Sequence, residues 1–290
     1  MDSSLTFTVS GQSFSALSWG DENAPVVLAL HGWLDNAASF SRLAPQLEGM
    51  RIVAVDLAGH GHSDHRGVGA DYPLWSHIPD VLAIADQLGL EKIHLLGHSM
   101  GAIIATMLAA TVPERVASLT LIDGLLPAAT PAEQTAEQLR KAVLWRNRKR
   151  NGLRQFASIE DAVRVRQTGF DTISADAAEI IVRRALKAHN EGWVWRSDPR
   201  LMAPTAQRLT LEQCRVLVEA LDAPALLVTA RDGFVDKALS ASQELQKHLK
   251  VLTLEGDHHL HLEADTVAAV VKAISPHLQQ VLNQEHNSQR

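Results

Sequence analysis

Short runs of consecutive apolar residues alternate with longer stretches in which apolar side chains recur every three or four positions. Pro25-Val26-Val27-Leu28-Ala29-Leu30 ends at His31-Gly32, and Arg51-Ile52-Val53-Ala54-Val55-Asp56 lies within a second run from Met50 to Leu57. Ile93-His94-Leu95-Leu96 is a third, and Ser118-Leu119-Thr120-Leu121-Ile122, ending in Asp123-Gly124, is a fourth. Such runs predict strands buried on both faces, as in a parallel sheet. Between them Ile78, Val81, Leu82, Ile84, Ala85 and Leu88 fall on one helical face that Gly89 stops. The Ala-rich stretch Met100 to Ala110 predicts a second helix ending near Pro113.

From Leu125 to about Ala206 the pattern changes to helical periodicity without buried strand runs. The strand pattern then resumes with Pro224 to Ala230, a helix near Ser240 to Leu249, a strand from Val251 to Leu254 and a last helix from Asp265. The reading is an α/β domain on a mostly parallel sheet, formed by residues 1–124 and 207–290 and interrupted by a helical insertion at 125–206. The insertion carries Arg140, Lys141, Arg146, Arg148, Lys149, Arg150 and Arg154 with no acid among them. These are expected to form the wet face of a segment that buries Leu139, Val143, Leu144, Leu153 and Phe156.

Composition narrows the possible partners. Of 290 residues, 46% are hydrophobic and 21% charged, the usage of a globular protein with a sizeable core. A formal charge of -6 gives no electrostatic reason to expect nucleic acid or an anionic membrane surface. No stretch approaches the ~18 uninterrupted apolar residues of a membrane span, and Met1-Asp2-Ser3-Ser4 opens no signal sequence. The single Cys214 cannot form an internal disulfide, which fits a reducing compartment, so a soluble cytoplasmic protein is expected.

Chemistry enters at Gly97-His98-Ser99-Met100-Gly101, a G-x-S-x-G sequence set between a strand run and a helix. A tight turn there can lift the Ser99 hydroxyl above the sheet edge, beside a helix N-terminus that favours developing negative charge. The base for this serine is expected in Glu255-Gly256-Asp257-His258-His259-Leu260-His261, just after the last strand run. His258, first after the strand, is the choice, with His259 and His261 placed where the chain enters the helix. Three carboxylates at strand ends could orient it: Asp123, Asp232 and, a little beyond, Asp236. Oxyanion donors are expected from the backbone N–H groups of Met100 and Trp33. The histidines at 258, 259 and 261, or at 60, 62 and 65, lack the usual metal-site spacings, so no metal or cofactor is expected.

Taken in order, His31-Gly32-Trp33, Asp56-Leu57-Ala58-Gly59-His60-Gly61-His62-Ser63, Gly97-His98-Ser99-Met100-Gly101 and Gly256-Asp257-His258 resemble the α/β-hydrolase fold family over nearly the whole chain. His31 to Phe40 and Trp195-Arg196-Ser197-Asp198-Pro199-Arg200-Leu201 resemble its serine hydrolase-like subgroup of esterase-type enzymes. The resemblance implies about eight strands, mostly parallel, with helices on both sides and a helical cap after the sixth strand. It also implies an acid nine residues beyond the proline that opens the later strand, a slot filled here by Gly233 with Asp232 one position off. Capped relatives place the acid at the end of the preceding strand, which is Asp123, and Asp123 is preferred over Asp232. Ser99 argues against the aspartate-nucleophile chemistry of haloalkane dehalogenases and epoxide hydrolases. The expected activity is that of a carboxylesterase-type serine hydrolase acting on a small, apolar acyl substrate. The alternatives are thioester or carbon–carbon bond hydrolysis, or an inactive ligand-binding protein on the same fold.

Overall fold

The structure, a computed structural model, describes residues 3–148, 154–169, 171–235 and 243–288. Strands β1 (Ser3–Val9), β2 (Gln12–Trp19), β3 (Val26–Leu30), β4 (Arg51–Val55), β5 (Ile93–His98), β6 (Val116–Ile122), β10 (Ala225–Asp232) and β11 (Lys250–Asp257) form one sheet in the order β1-β2-β4-β3-β5-β6-β10-β11. From β4 to β11 every neighbouring pair is parallel, and β1 and β2 extend one edge in antiparallel pairing. The fold is the expected α/β class. The edge hairpin turns at Ser10-Gly11, both at positive φ, the geometry of a two-residue turn that matches strand twist.

The period of two along each strand divides the core. Leu28, Leu30, Val53, Val55 and Leu95 pack beneath α1 (Ile78–Gln87) and α2 (Met100–Thr111). Val27, Ala29, Ile52, Ala54 and Leu96 face the other way, onto Val267, Val270, Ile274 and Leu278 of a C-terminal helix at Val267–Ser288. That helix starts two residues later than the sequence pattern placed it, and His259 and His261 lie in the turn that precedes it.

The segment between β6 and β10 holds α3 (Thr135–Arg146), β7 (Gln155–Phe156), α4 (Ile159–Gln167), α5 (Ala175–Ala185), β8 (Leu186–His189), β9 (Gly192–Trp195) and α6 (Leu211–Glu219). Two expectations are corrected here. The insertion is not purely helical, because β7, β9 and β8 form a three-stranded antiparallel sheet with too few residues each to print a buried run. The basic helix α3 also does not bury its apolar face: Leu139, Val143 and Leu144 are exposed, and Ala142 is its buried residue. Arg140, Lys141, Arg146, Arg148 and Arg154 are exposed as expected, whereas Lys149, Arg150 and Leu153 lie outside the described residues. The insertion's own apolar cluster gathers Phe156, Ala162, Val163, Ile173, Ala177, Ile181 and Val182. Trp193 and Trp195 pack against it, and Leu262, from the loop that follows β11, is part of it. Among the described residues no helix is long and apolar enough to cross a membrane.

Candidate active site

Ser99 sits at the joint of β5 and α2 with φ 51° and ψ −116°, a left-handed conformation that non-glycine residues adopt at a cost of about 1–3 kcal/mol. The flanking glycines make the joint possible. A Cβ on Gly101 would lie 2.0 Å from the carbonyl oxygen of Leu30, and one on Gly97 would lie 2.5 Å from the Cα of Ala102. Ser99 is half-buried, its N–H donates to the carbonyl of Ile122 at 2.9 Å, and a Cβ on Gly124 would come within 2.7 Å of its Cα. The ends of β5 and β6 therefore meet at Ser99 and Asp123. Met100 opens α2, where backbone N–H groups have no partner within the helix.

His258 follows β11 directly and is buried, and its Nδ1 lies 2.6 Å from Oδ2 of Asp123. An Nδ1–H donated to a carboxylate leaves Nε2 with its lone pair. Asp123 is itself held firmly, since Oδ1 accepts from the N–H of Ala230 at 3.1 Å and Oδ2 from that of Phe234 at 2.8 Å. The Phe234 ring stacks on His258 with centroids 4.0 Å apart. Asp232, the other candidate, is exposed near the end of β10 opposite Asp257, and no contact joins it to His258 among the described residues. Asp236 lies outside the described residues. The glycine in the expected acid slot has a steric reason: a Cβ on Gly233 would lie 2.2 Å from Oδ2 of Asp123. One space at the sheet edge serves the acid, and a carboxylate arriving from β6 requires that residue 233 have no side chain. Gly233→Ala is expected to displace Asp123 and lower turnover by about tenfold or more, a loss of at least ~1.4 kcal/mol of transition-state stabilisation. Unchanged turnover in a folded Gly233→Ala protein would contradict this steric account.

Trp33 lies in the loop after β3, followed by Leu34 at φ 61°, and its indole Nε1 donates to the carbonyl of Leu201 at 3.0 Å. His31 ties this loop to the end of β4, with Nδ1–H donated to Gly32 O at 2.8 Å and Nε2 accepting from the N–H of Leu57 at 2.9 Å. Burial holds its pKa below the ordinary histidine value despite the Asp56 charge. His60 and His65 point to different partners: His60 is buried on Ala58 O, while His65 bonds Arg196 O.

Sequence reasoning missed a buried ring of charge beside Ser99, His258 and Asp123. Asp35 places Oδ2 3.0 Å from Nε2 of His259 and Oδ1 3.3 Å from Arg166 of α4. Asp171 places Oδ1 2.6 Å from the same arginine and Oδ2 3.0 Å from Nδ1 of His259. Burial opposes a charged His259, but Asp35 and Asp171 outweigh it and raise its pKa to about 9. Asp35 is held well below the carboxylate range because His259 and Arg166 outweigh its own burial. His98 and His261 touch the ring as neutral bases, held well below the ordinary histidine value by burial and by neighbouring histidines. His98 Nε2 donates to the carbonyl of His258 at 3.0 Å. Asp35, His98 and His259 lie close enough to share a cation, with donor atoms within 4.8 Å of one another, but Arg166 and the proton on His259 already supply the positive charge there.

The sign of the pH effect follows. Asp35, Asp171, Arg166, His98, His258 and His261 face His259, and the net effect raises its pKa from 6.5 to about 9. Its contribution, about 3 kcal/mol, is therefore complete below pH 6.5 and lost as pH rises through about 9. His259→Gln should unfold more easily than wild type at pH 6, with the gap closing by pH 9.5. Denaturant-unfolding curves that stay parallel across that range would contradict the ring.

The comparisons with known proteins agree with this fold. Residues 25–163 match the α/β hydrolase fold family. A serine hydrolase-like protein of Dictyostelium discoideum is 30% identical over 87% of this chain and 75% of its own. The chain belongs to the α/β hydrolase fold family. A hypothetical protein of Pseudomonas aeruginosa shares this hydrolase's structure with TM-score 0.87 and 39% identity, over 95% of this chain and 99% of that one. The thioesterase domain from the curacin biosynthetic pathway superposes with TM-score 0.83 and 25% identity, over 94% of this chain and 99% of its own.

Proposed function

We propose that this α/β hydrolase is a serine hydrolase that cleaves a carboxylic ester, or a related acyl bond, through an acyl-enzyme. In this reading His258 Nε2 takes the proton of the Ser99 hydroxyl as Ser99 Oγ attacks the substrate carbonyl. The resulting oxyanion accepts hydrogen bonds from the backbone N–H groups of Met100 and Trp33. His258 returns the proton to the leaving alcohol as the carbonyl re-forms. A water molecule, deprotonated by His258 in turn, then attacks the acyl-enzyme, and His258 returns that proton to Ser99 Oγ as the Oγ–acyl bond breaks and the acid is released. Asp123 holds the imidazole in the tautomer that leaves Nε2 basic. The observation that carries the reading is the 2.6 Å contact between His258 Nδ1 and Asp123 Oδ2 beside a serine on a strained strand-to-helix joint. It also weakens the alternative of an inactive binding protein, whose motivation was the missing acid at position 233.

The segment 125–206 is read as a cap, held on the core by buried ion pairs such as Arg184–Asp56 at 2.7 Å. The substrate is read as a small molecule with an apolar acyl or alcohol group, because the exposed Phe234 ring lies against His258. The likeness to a thioesterase domain makes thioesters the second substrate class to assay. A cytoplasmic setting accords with a single, buried, unpaired Cys214.

The test is a fluorophosphonate probe followed by peptide mass mapping, alongside p-nitrophenyl esters of two to eight carbons and matched thioesters, with ~1:1 labelling expected at Ser99. Folded wild-type protein that takes no label and turns over no acyl substrate would overturn the assignment.

A further inference from the structure

The charge ring joins parts of the molecule that the proposed reaction needs in register. Asp35 lies two residues beyond Trp33, His259 follows His258, and His98 precedes Ser99 while donating to the carbonyl of His258. The other two members, Arg166 and Asp171, come from the inserted segment. Side-chain exposures of 2% for Asp35, 0% for Asp171, 2% for His259 and 10% for Arg166 put all four out of solvent. Two anions and two cations alternate, so the ring is neutral only when complete. Without Arg166, Asp35 and Asp171 would share the single cation His259, and a buried uncompensated charge is relieved by movement of the loops that carry it.

The turn after β11 is tied to the insertion by two further contacts. Leu262 is part of the insertion's apolar cluster, and Glu263 accepts from the N–H of Ser174, the residue that caps α5, at 2.8 Å. The contact of α3 with the core differs in kind: Arg146 reaches Asp71 and the carbonyl of Gly69 at exposed positions remote in sequence from the triad.

We propose that Arg166 and Asp171 are positioning residues for the reaction: by closing the ring with Asp35 and His259 they hold the Trp33 loop and the His258 turn in catalytic register. The inserted segment then completes the active site in addition to covering it. The inference rests on the Ser99–His258–Asp123 reading above. A displacement of about 1 Å between reacting groups costs on the order of 100-fold in rate, so loop drift on that scale is visible in kcat.

Arg166→Met removes the charge and keeps most of the volume. On a neutral short-chain ester it is expected to lower kcat by about 30-fold or more with KM within about threefold, and to slow fluorophosphonate labelling of Ser99 by the same factor. Arg166→Lys should recover much of both, because a point charge still closes the ring. Arg166→Met combined with Asp171→Asn should lose less than the product of the single losses. Arg146→Ala should change neither rate. If Arg166→Met does not fold, Asp171→Asn is assayed at a temperature well below its melting point, with kcat again expected to fall and KM to hold. Folded variants with wild-type kcat and labelling rate would overturn the proposal and leave the ring as a staple of the fold. A rise in KM confined to acidic esters would also overturn it, since Arg166 would then bind substrate. Wild-type protein that neither labels nor turns over would remove the reading beneath it, a result distinct from either.

Discussion

Ser99→Ala is expected to abolish turnover, lowering kcat by about a million-fold, while leaving the fold intact. The hydroxyl of a half-buried serine contributes little packing, and alanine relieves nothing in the joint, whose φ of 51° is imposed by the backbone of β5 and α2. Without Oγ no acyl-enzyme forms, and the remaining rate comes from substrate binding and the oxyanion donors alone. His258→Ala should be equally severe, because nucleophile and base act as one unit and either loss removes the whole contribution. Their combination should therefore cost little more than either alone. Burst kinetics with a p-nitrophenyl ester would check both, and a kcat near wild type in either variant would end the serine-hydrolase reading. His259→Ala is expected to cost stability, by about 3–5 kcal/mol, because two buried carboxylates would be left with Arg166 alone.

Asp123→Asn is expected to lower kcat by about four orders of magnitude, with Asp232→Asn nearly silent. The asparagine keeps the shape and its Oδ1 can still accept from Ala230, but an amide nitrogen in place of Oδ2 gives up the Phe234 N–H and donates to His258 Nδ1, stabilising the tautomer in which Nε2 carries the proton. A base in that tautomer cannot take the proton of Ser99. The steric trade at Gly233 extends the prediction: Asp123→Ala empties the space that a side chain at 233 would enter, so adding Gly233→Asp should restore part of the lost rate. Steady-state kinetics of the four proteins decide it. If Asp232→Asn were the damaging change, the acid would belong to β10 and not to β6.

How far the sequence carried depended on whether a feature is local. Buried parallel strands must be apolar on both faces, so β3, β4, β5, β6 and β10 stood out as apolar runs, and Ser99 stood out because its joint is specified within five residues by Gly97 and Gly101. The edge strands β1 and β2 went unread because their polar and apolar residues largely alternate, so neither forms a continuous apolar run. The small sheet of the insertion went unread because β7, β8 and β9 have two to four residues each. The exposed apolar face of α3 misled, since periodicity reports amphipathicity and not whether anything covers it.

By itself, then, the sequence determined the α/β architecture and singled out Ser99 and the turn of His258 as the candidate nucleophile and base, each readable from residues within a few positions of one another. Only the tertiary structure shows that Asp123, and not Asp232, meets His258, because that contact depends on which strand end projects a carboxylate onto the imidazole across 135 residues of chain. It alone revealed the ring of Asp35, Arg166, Asp171 and His259, whose Asp35–His259 contact spans 224 residues. A charge is conspicuous in any sequence, but its burial and its partners arise from packing between distant segments, and those are what convert four ordinary ionisable residues into one fixed unit beside the site.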